Sequence, residues 1–459
     1  MRENVVQSKS KKGGNALTYI KRTIRYFFLM LLYNLVLLSP MMPDTLVRVL
    51  SCTGLMLFYL YCHIIPVNTS CKGQRLKILH GGYELVLASI VTFLIETVIY
   101  LFLIFKTAAP ARLLIVNGII CAILLYLLFM NGIIRIFTCS GQLGFFKRIA
   151  LLLFWWVPGF NLFLLHSFIE VSRKEYDFSM EKQQFYEKWK EEELCKTKYP
   201  ILMVHGIFFR DWKNFNYWGR IPDELIRHGA IIFYSNHQSS ASVEQCAEEI
   251  KACILKIIKD TGCEKVNIIA HSKGGLDSRY AVSCLGMDRY VASITTINTP
   301  HCGCNYVCRI LDRISPAFVN FIGKKYESLF TLLGDDNPDF LSGLRDLTDR
   351  ECARLNGIMT DAPGVYCQST GSQMGSVKSA MFPLNLGYLI IRILGGGKND
   401  GLVSTSSMVW GNDLGVLKPK GKQGISHGDV IDLTRKNIEG FDVMGFYTDL
   451  IHKLKERGY

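Results

Sequence analysis

Charge is scarce in this sequence and unevenly placed. Asp, Glu, Lys and Arg make up 20% of the 459 residues, whereas hydrophobic residues make up 49%. An average soluble enzyme is more polar, so this composition predicts that part of the chain lies in a membrane. The net charge of +13 is concentrated in residues 1–172, which hold 16 Lys and Arg against 5 Asp and Glu; the remainder holds 36 against 34. Because the basic residues accompany the apolar part, we predict no nucleic-acid partner.

Regular cysteine spacing, internal repeats and low-complexity tracts are also missing. Ten of the 15 cysteines follow residue 172, but their irregular intervals do not predict the disulfide pattern of a small secreted domain. We expect most of them to be small buried residues, which favours a reducing compartment. No small-residue cleavage site follows the first apolar stretch, so we expect no cleavable signal peptide.

Residues 1–172 contain five apolar stretches, each close to the length of about 20 residues that a helix needs to cross a bilayer. They predict an all-α transmembrane domain of about five helices. Pro158 and Gly159 interrupt the last stretch, so both a kinked span and a re-entrant segment fit it. The predicted spans are 24–42, 46–65, 85–105, 113–134 and 149–169.

Positive charges orient these spans, because Lys and Arg accumulate on the cytoplasmic side of a membrane. Seven of them precede or open the first span and predict a cytoplasmic N-terminus. Five crossings then place the C-terminal domain on the extracytoplasmic side of the cell membrane. If residues 149–169 do not cross, that domain faces the cytoplasm. The seven are Arg2, Lys9, Lys11, Lys12, Lys21, Arg22 and Arg25.

Glu96 lies in the middle of the third predicted span, where a carboxylate is costly. Two interpretations remain open from the sequence. Glu96 is either a functional group of the membrane domain or a bundle-facing group that is paired with Asn117 or Asn131.

The sequence pattern changes after residue 172. Residues 173–198 are charged and favour a helix, with Phe185 and Trp189 four positions apart, and they predict an amphipathic linker. In residues 199–459, short apolar strands alternate with helices. This alternation predicts an α/β domain with a mostly parallel sheet and helices on both faces.

The residues around Ser272 predict a nucleophile. "KVNIIA" is a predicted buried strand and a helix follows from Gly274, so Ser272 falls at the corner between them. Small residues at Ala270 and Gly274 let the backbone turn tightly there, which holds a serine hydroxyl above the edge of the sheet. The helix N-terminus would then direct N–H groups at a developing oxyanion.

A serine hydroxyl needs a histidine as its base, and the histidine needs an acid to orient it. In α/β-hydrolases the acid and then the histidine follow the serine along the chain. His427 lies in a late loop, as this order requires, whereas His301 comes too early. Asp400, which lies among turn residues before His427, is the predicted acid. The rival residues are His452 for the base and Asp429 and Asp432 for the acid.

Six stretches from about residue 199 onward resemble the bacterial triacylglycerol lipases of the pseudomonad type, which belong to the α/β-hydrolase superfamily. They are "YPILMVHGI", "YWGRIPDELIRHGA", "KVNIIAHSKGGLDSRYA", "TTINTPHCG", "NDGLVSTSSMVWG" and "SHGD". The resemblance implies Ser272 as nucleophile, Asp400 as orienting acid and His427 as base. It also implies oxyanion donors at the backbone N–H groups of Ile207 and Lys273. The supporting motif positions are His205, Gly206, Ala270, His271 and Gly274.

The chain departs from that family at its calcium site. The family uses two aspartates, one of which corresponds to Asp429, but around the partner's expected position this chain has "SAMFPLNLGY", without an acid. We therefore expect no cofactor and no metal. A rival zinc site would use closely spaced Cys and His ligands, although its histidine belongs to a lipase-like stretch. Its residues are His301, Cys302, Cys304 and Cys308.

Residues 308–341 have apolar residues at helical spacing. They predict either a helix packed on the sheet or, as the resemblance implies, a lid over Ser272 that opens at a lipid surface. Together, these features predict a membrane-anchored serine hydrolase that cleaves carboxylic esters of lipids. The alternatives are a membrane acyltransferase or a lipid or glycolipid deacylase that uses the same three residues, and a non-catalytic membrane scaffold. No protein partner can be inferred.

Overall fold

The computed structural model describes residues 12–67, 71, 73–106, 110–187, 193–207, 216–238, 240–311, 313, 315–332, 339–419 and 423–459. Parts of the sequence predictions lie outside these residues: Arg2, Lys9 and Lys11 at the N-terminus, 188–192 in the linker, and 312, 314 and 333–338 in the lid. The chain divides into two compact units, Met1–Lys188 and Trp189–Tyr459.

The N-terminal unit is helical over its described residues. Asp44 caps one helix by accepting a hydrogen bond from the Val47 N–H at 2.8 Å, which satisfies a donor that the first turn leaves free. The helices are α1 Lys12–Tyr33, α2 Leu35–Leu38, α3 Thr45–Ile64, α4 Gln74–Lys106, α5 Ala111–Cys139, α6 Phe145–Phe154 and α7 Phe160–Glu187.

Three helices of this unit, α3, α4 and α5, are long and apolar enough to cross a membrane. A fourth crossing is added if α1 and the segment after it, which bend by 66°, count as one span. The fifth predicted segment, 149–169, is divided between α6 and α7, which fits both the kinked span and the re-entrant segment that the sequence allowed. Pro158 cannot donate a helical hydrogen bond and Gly159 adopts a φ of +79°, which together interrupt the helix. The α7 helix then runs on to Glu187, through the first half of the predicted linker.

Glu96 has a different partner from those that the sequence suggested. Its carboxylate accepts a hydrogen bond from the Asn34 side chain at 2.7 Å, at the bend that follows α1. The side chain of Asn117 donates instead to the Tyr100 hydroxyl at 2.6 Å, and that of Asn131 lies 2.7 Å from the His63 ring. The sequence missed Asn34 because it lies 62 positions away.

The C-terminal unit contains a six-stranded parallel sheet, which confirms the predicted α/β-hydrolase class. The strands are β1 Ile201–Val204, β2 Ile232–Tyr234, β3 Val266–His271, β4 Val291–Ile297, β5 Tyr366–Ser372 and β6 Asn412–Leu417, in the order β2-β1-β3-β4-β5-β6. The helices are α8 Ile221–Arg227, α9 Val243–Thr261, α10 Lys273–Cys284, α11 Asn305–Leu311, α12 Pro316–Leu332, α13 Phe340–Arg345, α14 Asp349–Ile358, α15 Leu384–Ile393 and α16 Val443–Glu456.

Alternating side chains of the central strands supply two hydrophobic cores, one on each face of the sheet. Ile201 and Met203 of β1 pack in the core that includes residues of α8 and α16. Leu202 and Val204 pack in the opposite core, with residues of α9 and α10. Because both faces are covered by helices, β1, β3 and β4 are fully buried, and β1 and most of β3 are apolar, as buried parallel strands are.

The strand order defines where a ligand can bind. From β1 the chain moves to one side to form β2 and then crosses to the other side to form β3. The helix after β1 and the helix after β3 therefore cover opposite faces, which opens a crevice between the carboxyl ends of these two strands. Residues 205–207 and Ser272 follow these two ends directly.

Candidate active site

Ser272 lies at a sharp corner between β3 and α10. Its backbone angles, φ +55° and ψ −132°, are strained for a residue with a Cβ. Two glycines make room for the corner. A Cβ on Gly206 would come within 2.8 Å of the Ser272 Cβ, and one on Gly274 would collide with the His205 carbonyl oxygen. The Ser272 N–H donates to the Ile297 carbonyl at 2.9 Å, which joins the corner to β4.

His427 and Asp400, 27 positions apart, form a buried pair. The His427 Nδ1–H donates to Asp400 Oδ2 at 2.6 Å. Asp400 is fully buried and its other oxygen accepts the N–H groups of Leu402 and Val403 at 2.8 and 2.7 Å. Asn298 donates to Oδ2 at 2.8 Å. These bonds fix the position of the carboxylate, and the carboxylate in turn fixes the ring of His427.

The His271 ring connects this pair to the serine corner. His271 precedes Ser272, and its ring centroid lies 4.5 Å from that of His427. Burial, together with the nearby His427, holds the pKa of His271 well below its usual range. The Tyr217 hydroxyl donates to its Nδ1 at 2.7 Å. His271 is therefore a neutral, packed neighbour, and His427 is the imidazole that remains available as a base.

The two rival acids are engaged elsewhere. Asp432 forms a two-pronged ion pair with Arg220, whose Nε and Nη2 each donate at 2.7 Å. Asp429 accepts from the Ser426 N–H at 3.1 Å and from its hydroxyl at 2.7 Å. Of the three candidate acids, Asp400 is the one whose carboxylate bonds to His427.

Asp429 also tests the fit of a calcium ion, because it matches one ligand of the related lipases. Its carboxylate caps the turn at Ser426, and burial raises its pKa. Among the residues that the structure describes, Asp429 belongs to no group of three potential metal ligands. Main-chain bonds hold the loop instead: the His427 N–H donates to Asp400 O at 2.9 Å, and the Ile425 N–H to Gln373 O at 2.7 Å. These residues do not fit the family's calcium site.

The two predicted oxyanion positions meet at the same crevice. Ile207 follows β1 and Lys273 follows Ser272. The Tyr217 hydroxyl accepts the Gly206 N–H at 3.1 Å while it donates to His271, so one side chain links the loop after β1 to the end of β3. The Ile207 side chain packs beneath Phe340 of α13. Packing and hydrogen bonding thus hold both loops in place.

The Lys273 side chain points away from the crevice into a buried polar cluster. Its ammonium donates to Asp277 Oδ1 at 2.7 Å and to Cys246 Sγ at 3.4 Å. Burial raises the pKa of Asp277 to about 6, although the ammonium opposes this. His237 lies 3.5 Å from the same carboxylate and stacks on His205 with 4.0 Å between ring centroids. The cluster therefore reaches from α10 to the loop after β1.

Potential metal ligands gather in this cluster and not where the sequence suggested zinc. His237, Cys246 and Asp277 offer three ligand atoms within 4.8 Å of one another. Two of them bond to the Lys273 ammonium, which is the cation of this cluster, so the group does not fit a metal.

The proposed zinc site at the cysteine-rich stretch does not fit, because both ring nitrogens of His301 have hydrogen-bond partners. Its Nδ1 lies 3.1 Å from Arg279 and its Nε2 lies 3.0 Å from the Thr296 hydroxyl. Cys304 Sγ donates to the Leu402 carbonyl and Cys308 Sγ to Asp349. Within the described parts of the chain, these residues form no metal-ligand group.

The cap consists of residues 305–358, between β4 and β5, and holds α11 to α14. The ring of Tyr326 on α12 stacks on Phe340 of α13, with centroids 4.6 Å apart. Phe321 of α12 is 57% exposed. Within the described residues, α12 therefore packs against α13.

Sequence reasoning missed three residues that shape the site: Tyr217, Asn298 and Asp277. Tyr217 and Asn298 lie inside stretches that resemble lipases, yet no spacing rule indicates that their side chains reach His271 and Asp400. The spacing of Lys273 and Asp277, four positions apart on a helix, was the available signal for an ion pair.

A serine at a strand-to-helix corner of a parallel sheet, beside a buried histidine–aspartate pair, is the arrangement typical of the α/β-hydrolase class. Comparison with known proteins agrees. The family described as "Putative serine esterase (DUF676)" matches residues 199–334. The triacylglycerol lipases of Pseudarthrobacter phenanthrenivorans and Burkholderia plantarii are each 34% identical over 176 residues, which is 35% of this chain.

The triacylglycerol lipase of Vibrio cholerae is 30% identical over 234 residues, which cover 46% of this chain and 74% of that lipase. The chain belongs to the triacylglycerol lipase family. It spans about half the length of the first two relatives, 53% and 48%.

Proposed function

We propose that this protein is a membrane-anchored serine hydrolase that cleaves carboxylic esters of lipids. The observation that carries the proposal is the 2.6 Å hydrogen bond between His427 and the buried carboxylate of Asp400, next to a serine held at a strained corner. The family relationship supports ester hydrolysis. The three or four apolar helices of the N-terminal unit support anchoring in a bilayer.

In the first half of the reaction, Ser272 Oγ attacks the acyl carbonyl carbon and His427 Nε2 takes the hydroxyl proton. Asp400 keeps the proton of the neutral imidazole on Nδ1, which leaves Nε2 free to act as base, and stabilises the imidazolium that forms. The N–H groups of Ile207 and Lys273 donate to the oxyanion of the tetrahedral intermediate. His427 then returns the proton to the departing alcohol, leaving an ester on Ser272.

In the second half, water attacks the acyl-enzyme carbonyl and His427 Nε2 takes its proton. The same two N–H groups stabilise the second oxyanion. When that intermediate collapses, the proton returns to Ser272 Oγ and the fatty acid leaves. Neither half of the reaction requires a metal ion or a cofactor from this site, and we propose that none takes part.

We further propose that the chain is a multi-pass protein of the cell membrane with a cytoplasmic N-terminus. Five crossings would place the hydrolase unit outside the cytoplasm. If the segment broken between α6 and α7 does not cross and α1 does, four crossings would place the hydrolase unit in the cytoplasm. The free cysteines of the chain agree with that reducing compartment. Protease access to the C-terminal unit in intact cells distinguishes the two orientations.

A fluorophosphonate probe tests the catalytic assignment. The full-length protein in detergent should be labelled, and the Ser272→Ala variant should not be labelled. Ser278→Ala is a matched control, because this buried serine of α10 donates to the Gly274 carbonyl and lies outside the proposed site. Undiminished labelling of the Ser272→Ala variant would refute the proposal.

Acyl transfer or deacylation of a lipid-linked acceptor would use the same three residues and the same acyl-enzyme. Product analysis with and without an added long-chain alcohol separates the reactions. Release of free fatty acid that the alcohol does not reduce supports hydrolysis, whereas quantitative formation of a new ester supports transfer.

A further inference from the structure

Helix α15 and the residues before it expose an apolar surface that the proposed chemistry does not use. Leu386, Leu389 and Ile393 are 48%, 39% and 80% exposed, at positions that share one side of the helix. Met381 and Phe382, just before the helix, are 63% and 76% exposed. We call these five residues the α15 face. So many large exposed side chains in one short segment mark an interaction surface.

The opposite side of α15 fixes this face beside the candidate active site. Tyr388 and Ile391 are buried in the domain. A Cβ on Gly387 would collide with the Gly401 carbonyl oxygen, so the helix backbone lies directly against the turn that follows Asp400. The α15 face is therefore firmly attached near the Asp400 turn.

The segment that carries the α15 face has charge of one sign. Residues 362–399 contain Lys378, Arg392 and Lys398 and no Asp or Glu, and these three side chains are exposed. An apolar helix face bordered by cations matches a bilayer surface with anionic headgroups. A symmetric contact between two copies would instead bring the same cations together, which is unfavourable.

We propose that the α15 face inserts into the headgroup region of a bilayer that contains anionic lipids, beside the active-site loops. Contact with the bilayer does not depend on the proposed hydrolase activity. It would, however, bring ester substrates in the bilayer close to Ser272, and that consequence rests on the proposed function.

The test uses the full chain in nanodiscs of phosphatidylcholine with and without phosphatidylglycerol. The double variant Leu386→Glu/Ile393→Glu places charge on the face. Ile231→Glu is the matched control, because Ile231 is 63% exposed and precedes β2, at the opposite end of the sheet from the site. One measurement is amide hydrogen exchange of residues 381–393. The other is the rate on a long-chain ester in the disc divided by the rate on a water-soluble short-chain ester.

We expect phosphatidylglycerol to slow exchange in the wild type and in the control. The double variant should lose this protection, and its rate ratio should fall about tenfold or more while the soluble ester is still cleaved, which shows that the variant is folded. Arg392→Gln/Lys398→Gln should remove the difference between the two lipid compositions.

Equal exchange and an equal rate ratio in wild type and double variant would overturn the proposal. A change in the number of copies per nanodisc in the double variant would also overturn it, because the face would then be a contact between copies. If the wild type cleaves neither ester, the proposed function fails, while the exchange measurement still tests bilayer contact by itself.

Discussion

Two buried acid–base pairs lie next to Ser272, and their surroundings differ. Around Asp400, three donors and the His427 Nδ1–H share two carboxylate oxygens. Around Lys273, one ammonium serves Asp277 directly, and Asp346 of the cap lies close enough for its pKa to respond to both. Several hydrogen bonds hold the carboxylate of the first pair, whereas in the second a single buried ammonium bonds to Asp277 and also lowers the pKa of Asp346.

The difference indicates what each pair does. A carboxylate held by several donors can orient an imidazole through a reaction without moving. The ion pair between Lys273 and Asp277 lies at the start of α10. It holds in place the turn that carries the Lys273 N–H. We therefore expect the buried charge of Asp400 to affect catalysis and that of Lys273 to affect stability, and substitutions should separate the two.

Asp400→Asn should have the largest effect. Asn keeps an oxygen for the Leu402 and Val403 N–H groups, but its amide faces His427 Nδ1 and favours the wrong tautomer. We expect kcat to fall on the order of 10³–10⁴-fold with KM and folding nearly unchanged. Steady-state kinetics on a soluble ester measures this. Asp432→Asn is the control, since it should weaken the Arg220 contact and leave kcat within a few-fold. Equal losses in both variants would contradict the assignment.

Lys273→Met should act mainly on stability. It leaves Asp277 buried without its cation, which costs roughly 3–5 kcal/mol of unfolding free energy. We expect the temperature at which fluorophosphonate labelling is lost to drop by several degrees or more. Lys273→Met/Asp277→Leu should recover most of this drop, because no unpaired charge remains. Lys453→Met, which breaks an exposed ion pair of the same spacing in α16, should change little. A stable single variant would show that the pair does not hold α10.

Asp346→Asn should have the smallest effect and a pH dependence. Burial raises the pKa of Asp346 to about 6, although the Val243 N–H and Lys273 oppose this. The folded protein therefore binds more protons than the unfolded chain between about pH 4 and 6, and stability falls as pH rises through this window. Asn still accepts the Val243 N–H and carries no charge. We expect the variant to gain about 1 kcal/mol over wild type above pH 6, after allowance for partial exposure, and nothing near pH 4. Thermal inactivation from pH 4.5 to 7.5 measures this, and a pH-independent difference would contradict it.

The alternation of short strands and helices was predictable for β1 to β4, whereas β5 and β6 contain too many polar residues to be predicted as buried strands. The helices of the N-terminal unit were harder to predict. Residues 149–169 have the composition of a span. Pro158 and Gly159 indicated an interruption, but the sequence could not decide between a kinked span and a re-entrant segment. Likewise, Glu96 bonds to Asn34 because the chain bends after α1, and the composition of the sequence does not predict that bend.

Chain order and resemblance predicted Ser272, Asp400 and His427, and the structure brings His427 and Asp400 into contact. Their catalytic roles remain predictions. What the sequence could not supply is the set of side chains that orient these residues from distant positions, such as Asn298, 102 residues from Asp400. Periodicity describes neighbours along one element, whereas these contacts arise between loops that only the folded sheet brings together.

The corner at Ser272 has a consequence for evolution of this domain. Its φ of +55° is one that glycine adopts freely and that costs a residue with a Cβ on the order of 1–3 kcal/mol. A Ser272→Gly substitution would therefore relieve this strain and at the same time remove the proposed nucleophile. On the proposed function, the strain at Ser272 is stability given up for activity, which the rest of the domain must offset.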